Sequence, residues 1–181
     1  KGVGVSPTGN QVWVANRNGD SLSVIEPATD TVIATIPLSA GGSKKGMGSK
    51  KDDRKSVALG FSPDDRYAYV VARNSGTLVI LEKVLALTDP NHAVLSSVHV
   101  GNMPEALAVD PAGGRVYVAD WNGRKVSVVD VSSPTGPKVL ATAEVGKHPE
   151  GMALLSDGSK LYVTNTESDT VSVFEVGPSP F

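Results

Sequence analysis

The chain has 181 residues, 40% of them hydrophobic, and a formal charge of −2, so it can bury a sizeable core and lacks the one-sided charge of a disordered tail. It contains no cysteine, which excludes disulfides, thiolate metal sites and thiol nucleophiles. No apolar run approaches the roughly 18 residues that span a bilayer, so no transmembrane segment is expected, and the opening "KGVGVSP" lacks the basic and apolar regions of a signal peptide.

In chain order, "GVGV" predicts a short strand, "PTGN" at 7–10 a tight turn, and the stretch around Trp13 a second strand. After the polar "NRNGD" at 16–20, alternation resumes in "SLSVIE" and again in "TVIATIPL". Period-2 patterning rich in Val and Ile predicts half-buried strands. The same order then recurs. "VALGF", "PDDR", a strand around Tyr69, "RNSGT", "TLVILE" and "AVLSSVHV" form a second unit. "EALAV", "PAGG", a strand around Tyr117, "DWNGRK", "KVSVVD" and "KVLATAEV" form a third. "GMALL", "SDGS", a strand around Tyr162, "NTESDT" and "TVSVFE" form a fourth, which has no last strand.

The copies align on Trp13, Tyr69, Tyr117 and Tyr162, spaced by 56, 48 and 45 residues. Each is a meander of four antiparallel strands, a to d, and a four-stranded sheet repeated about every 45 residues reads as an all-β propeller of four blades, the last lacking strand d. A β-sandwich would leave the repetition unexplained. The blades run over 1–38, 56–100, 101–145 and 146–176 of a single segment, and a glycine-rich basic stretch occupies 39–55.

The last copy, "HPEGMALLSDGSKLYVTNTESDTVSVFEV", resembles the repeat of the YVTN β-propeller proteins, of surface-layer type, whose name Tyr162 to Asn165 spell. The third copy departs in carrying Asp120 for the Asn, the first fits well, and the second is weakest, with Ala72 there. The resemblance covers nearly the whole chain outside 39–55. It implies a bacterial or archaeal protein located in the periplasm, on the cell surface or outside the cell. Propellers similar to this one include lactone hydrolases and lyases that work at the central channel. Lys1 aligns with Glu105 and Glu150 and the last blade is short of a strand, so the expectation is either a segment of a larger ring or a half that self-associates to close one.

Topology sorts the loops. With strand a running down, the d-to-a and b-to-c connections share one face, the top, while the tight "PAGG"-type turns share the other. Polar groups converging at a concave mouth are where a ligand is expected. Arg17, Arg73 and Arg124 occupy nearby b-to-c positions and would together hold an anion by forked hydrogen bonds, or else remain solvated. Trp121, with Asn122 beside it, is a stacking platform or a packing residue. Asn16, Asp120 and Asn165 recur at one place and are expected to satisfy loop amides. Lys44, Lys45, Lys50 and Lys51 make 39–55 a basic loop able to draw an acidic partner, a phosphate or, more weakly, nucleic acid to the top face.

No G-x-S-x-G elbow, Walker spacing or haem-attachment sequence is present. No cofactor and no metal is expected. The principal expectation is a non-catalytic interaction module holding a protein, glycan or anionic small molecule at the top face. The alternative is a lactonase-like hydrolase or lyase in which Glu105, Glu150 and His148 carry the chemistry, with acid/base work or a metal at the channel.

Overall fold

The computed structural model describes residues 2–17, 19–38 and 56–177. The 39–55 stretch, with Lys44, Lys45, Lys50 and Lys51, lies outside the described residues. The first sheet is β1 (Val3–Val5), β2 (Val12–Asn16), β3 (Ser21–Glu26) and β4 (Thr31–Pro37). The second is β5 (Ser56–Phe61), β6 (Tyr67–Ala72), β7 (Thr77–Glu82) and β8 (Val94–His99). The third is β9 (Pro104–Val109), β10 (Arg115–Asp120), β11 (Lys125–Asp130) and β12 (Lys138–Glu144), and the last is β13 (Pro149–Leu154), β14 (Lys160–Asn165) and β15 (Thr170–Glu175). Every sheet keeps sequence order with antiparallel neighbours, the meander the alternation predicts.

The sheets stack face to face, so β6, β7, β10 and β11 of the two middle blades are buried on both faces where the alternation predicts half-buried strands, while β14 of the last blade keeps one buried face. Trp13, Leu22 and Val24 of blade 1 pack against Ala68, Val70 and Val79 of blade 2. Tyr69, Leu78 and Ile80 on the opposite face of blade 2 meet Val116 and Val118 of blade 3, and Tyr117, Val126 and Val128 in turn meet Leu161 and Val163 of blade 4. The repeated aromatic therefore always enters the interface with the following blade. Trp13, Tyr69 and Tyr117 are all buried, and Trp13 meets Phe61 edge-on at 5.7 Å. Each such burial contributes about 1.5–3 kcal/mol. Tyr162, on the outer face of blade 4, is 36% exposed beside Val171 and Val173.

Two features escape the strand pattern. Between β7 and β8 a short helix, α1 (Lys83–Thr88), leads into a 3-10 turn at Pro90–His92. It seats Lys83 against Asp65 of the a-to-b turn, which also accepts a hydrogen bond from Thr8 Oγ1 of blade 1 at 2.7 Å. The second feature lies in the inner strands, which break register against strand b at one recurring point. Val57, Glu105 and Glu150 are the extra residues there. Such a bulge bends the strand and re-aims its side chain.

Candidate functional site

At the top face the b-to-c turns of blades 3 and 4 are tied to the d-to-a connections that lead into those blades. Asp120 accepts from the backbone N–H groups of Asn102 and Met103 at 3.0 and 2.9 Å, and Trp121 N donates to Met103 O at 3.0 Å. In blade 4, Thr166 N donates to His148 O at 3.1 Å, and Lys147 N to Ser168 Oγ at 2.7 Å. Asn16 and Asn165 instead direct their amide N–H groups to hydroxyls of the facing strand, Ser21 and Ser23 in one case, Thr170 and Ser172 in the other. The last residue of the turn is left-handed in all four blades, at Asp20, Gly76, Arg124 and Asp169.

On this frame, side chains from three blades form a row. His148 stacks on Trp121 with ring centroids 3.7 Å apart and planes 7° from parallel. The Arg73 guanidinium, from the blade on the other side, lies 5.3 Å from the Trp121 ring centroid. Each member also meets a carboxylate. Arg73 Nε is 3.1 Å from Glu105 Oε2, Trp121 Nε1 donates to Glu150 Oε1 at 3.2 Å, and His148 Nδ1 is 3.1 Å from Glu167 Oε2. The Arg73–Glu105 approach is Coulombic rather than a straight hydrogen bond, since the two atoms miss hydrogen-bond geometry. Both side chains are largely buried, at 14% and 7% exposure, where an ion pair is less screened than on a surface. His148 is itself left-handed at φ +51°, whereas Met103, its counterpart one residue before the proline in blade 3, is not.

Below the row lies a cavity of about 340 Å³ between the inner strands β5, β9 and β13. Glu105 and Glu150 face it, with Val57, Leu107 and Met152 as its apolar wall. The bulges place those two carboxylates there, one buried and the other exposed.

Of the residues the sequence singled out, Glu105, Glu150, His148, Arg73 and Trp121 come together. His148 joins through Trp121 and does not line the cavity. Arg17, Asn122 and Arg124 are exposed in their turns and take no part in the row. Trp121 is engaged by His148 and Arg73 rather than presenting an open ring. Glu167 and Val57 were not singled out. Glu167 had a signal, an acidic residue in a top-face loop of the same blade as His148; Val57 had none, because its role depends on a bulge. Among the described residues no group of three His, Asp or Glu side chains is arranged to hold a metal ion.

No family model matches the chain. Serum paraoxonase/arylesterase 2 of Homo sapiens is 32% identical over 94 residues, a match covering 47% of this chain and 26% of that protein. Among solved structures, the periplasmic gluconolactonase of Pseudomonas aeruginosa superposes with a TM-score of 0.75 at 19% identity, over 97% of this chain and 49% of that one. A candidate 6-phosphogluconolactonase of Bacteroides uniformis gives 0.76 at 16%, over 98% and 50%. Hydrazine synthase of Kuenenia stuttgartiensis gives 0.77 at 16%, over 96% and 45%. The chain thus spans about half the length of these structures and about a quarter of the curated relative. Its fold is that of the β-propellers, here an arc of four blades. That fold houses unrelated chemistries, as the hydrazine synthase shows, and does not by itself assign one.

No helix among the described residues is long and apolar enough to cross a membrane.

Proposed function

We propose that the chain is part of a propeller hydrolase that opens a lactone or a related ester at the inner top face. The observation that carries this reading is the pair of carboxylates, Glu105 and Glu150, re-aimed by equivalent bulges into one cavity. Glu150 is the exposed member and accepts the Trp121 indole N–H, so it is placed to work as a general base. Its carboxylate takes a proton from water as the water oxygen attacks the lactone carbonyl carbon. The ring C–O bond then breaks, and the departing oxygen recovers the proton from Glu150, giving a hydroxy acid. Glu105, held beside the Arg73 guanidinium, lines the same cavity from the adjacent inner strand β9.

The names carried by the gluconolactonase structures and the arylesterase support this reading over a non-catalytic interaction module. Of the groups expected to meet a ligand, Arg73 and Trp121 are committed to partners within the chain, Arg17, Asn122 and Arg124 stay exposed, and the four lysines lie outside the described residues. A periplasmic or extracellular location belongs to the same proposal, supported by the periplasmic gluconolactonase. The test is hydrolysis of a lactone series followed by acid release. Glu150→Gln is expected to lower kcat by about 10²–10⁴-fold with the fold intact. Unchanged turnover in that variant would remove Glu150 from the reaction.

A further inference from the structure

Val57, Glu105 and Glu150 stand at one position of the repeat, the bulged residue of three successive inner strands, and all three face the same cavity. Two are carboxylates and one is valine, 5% exposed. We infer that this position selects the substrate by charge: the cavity takes an uncharged lactone and rejects a phosphorylated or carboxylated one, with Val57 as the specificity-determining residue. The inference rests on the hydrolase reading.

The charge of the lining argues for it. The described residues around the cavity include two anions and no cation. Arg73, the cation of the row, is not among them; it and Glu105 offset one another at 3.1 Å, so Glu150 carries the charge that acts on a ligand in the cavity. A phosphate dianion in a space of about 340 Å³ would lie close to the Glu150 carboxylate. At a dielectric constant between those of protein and water, as fits an exposed carboxylate, like charges about 5 Å apart weaken binding on the order of tenfold. An uncharged lactone meets no such repulsion, and its hydrocarbon part contacts Val57, Leu107 and Met152. The repeat could have placed a third charged group at position 57 and carries an aliphatic one instead.

The experiment compares kcat/KM of the full chain for δ-valerolactone, glucono-δ-lactone and 6-phosphoglucono-δ-lactone. The expected result is hydrolysis of at least one uncharged lactone, with the phosphorylated one slower by tenfold or more. Comparable efficiency on the phosphorylated lactone overturns this inference and leaves the hydrolase reading standing. Hydrolysis of none of the three overturns both. Val57→Lys adds a cation to the lining and is expected to narrow the preference for uncharged lactones at least tenfold; an unchanged ratio in a folded variant removes Val57 from specificity. Because Val57 is buried, folding of that variant is checked by circular dichroism, and the substrate comparison on the unmodified protein decides the charge selection by itself.

Discussion

Trp121 and His148 stack in parallel across the boundary between the third and fourth blades, 3.7 Å apart, while the indole N–H of the same Trp121 reaches Glu150. One side chain thus joins blade packing to the carboxylate proposed as the base. Replacing Trp121 by Phe keeps an aromatic face for His148 and removes the N–H. The expected outcome is a fall in kcat/KM of about tenfold with a drop in thermal midpoint of only about 1–3 °C, because the hydrogen bond lost goes to an exposed carboxylate and is worth less than about 1 kcal/mol of stability. Trp121→Ala should also lose about 1 kcal/mol of stability with the stack. Kinetics and thermal melts of both variants separate the two contributions.

His148 holds a left-handed backbone that its counterpart in blade 3 does not share. Glycine tolerates φ +51° freely and alanine does not. His148→Ala is therefore expected to be less stable than His148→Gly by about 1 kcal/mol, although both lose the stack and the Glu167 contact. Equal midpoints in denaturant titrations would show that the connection relaxes out of the left-handed region.

Lys83 is buried, paired with Asp65, and its ammonium lies 5.3 Å from the Phe61 ring centroid. Removing the cation alone, as in Lys83→Met, leaves the partly buried Asp65 carboxylate without its cation and should cost about 2 kcal/mol. Lys83→Met combined with Asp65→Asn should recover a substantial part of that loss. A double variant no better than the single one, measured by urea unfolding, would show that the pair is not what stabilises the clasp between blades 1 and 2.

Burial pushes the Tyr69 hydroxyl up to about 12 from its ordinary 10.0. The folded state therefore favours the neutral phenol. Its contribution is fully present below pH 10 and is lost as pH rises toward 12, because the unfolded chain ionises first. The loss is on the order of 2–3 kcal/mol at the upper end of that window. Tyr69→Phe should flatten this part of the stability profile, read as thermal midpoint against pH from 8 to 12. Tyr117, raised in the same direction by its own burial, should leave a residual alkaline slope.

Tyr162 occupies the repeat position that is buried at the three blade interfaces, yet it is 36% exposed. We propose that in the assembled protein this face is covered by a further blade, from a longer chain or from a second copy. Tyr162→Asp would then behave as a core substitution and cost about 3 kcal/mol in the assembled protein. A change within about 0.5 kcal/mol, as at an ordinary surface site, would show the face to be free.

The sequence by itself determined the blades. Alternation with period 2, turn residues at fixed offsets and a recurring aromatic are local properties, and they specify strands and their order wherever the chain lies in space. The same pattern separated the top-face loops from the tight turns, and so brought Glu105, Glu150, His148, Arg73 and Trp121 into view. It could not tell which of them meet. The row from Arg73 through Trp121 to His148 joins three blades, and its geometry depends on how neighbouring sheets pack and on a left-handed residue at 148. The aim of Glu105 and Glu150 depends on a bulge, one extra residue that leaves no mark on the alternation. The seat of Lys83 depends on α1, a single helical turn and a half in a stretch whose pattern carries no strand. Tertiary structure decided these points because each is a contact between residues far apart in the chain, set by packing and charge pairing that no local period encodes.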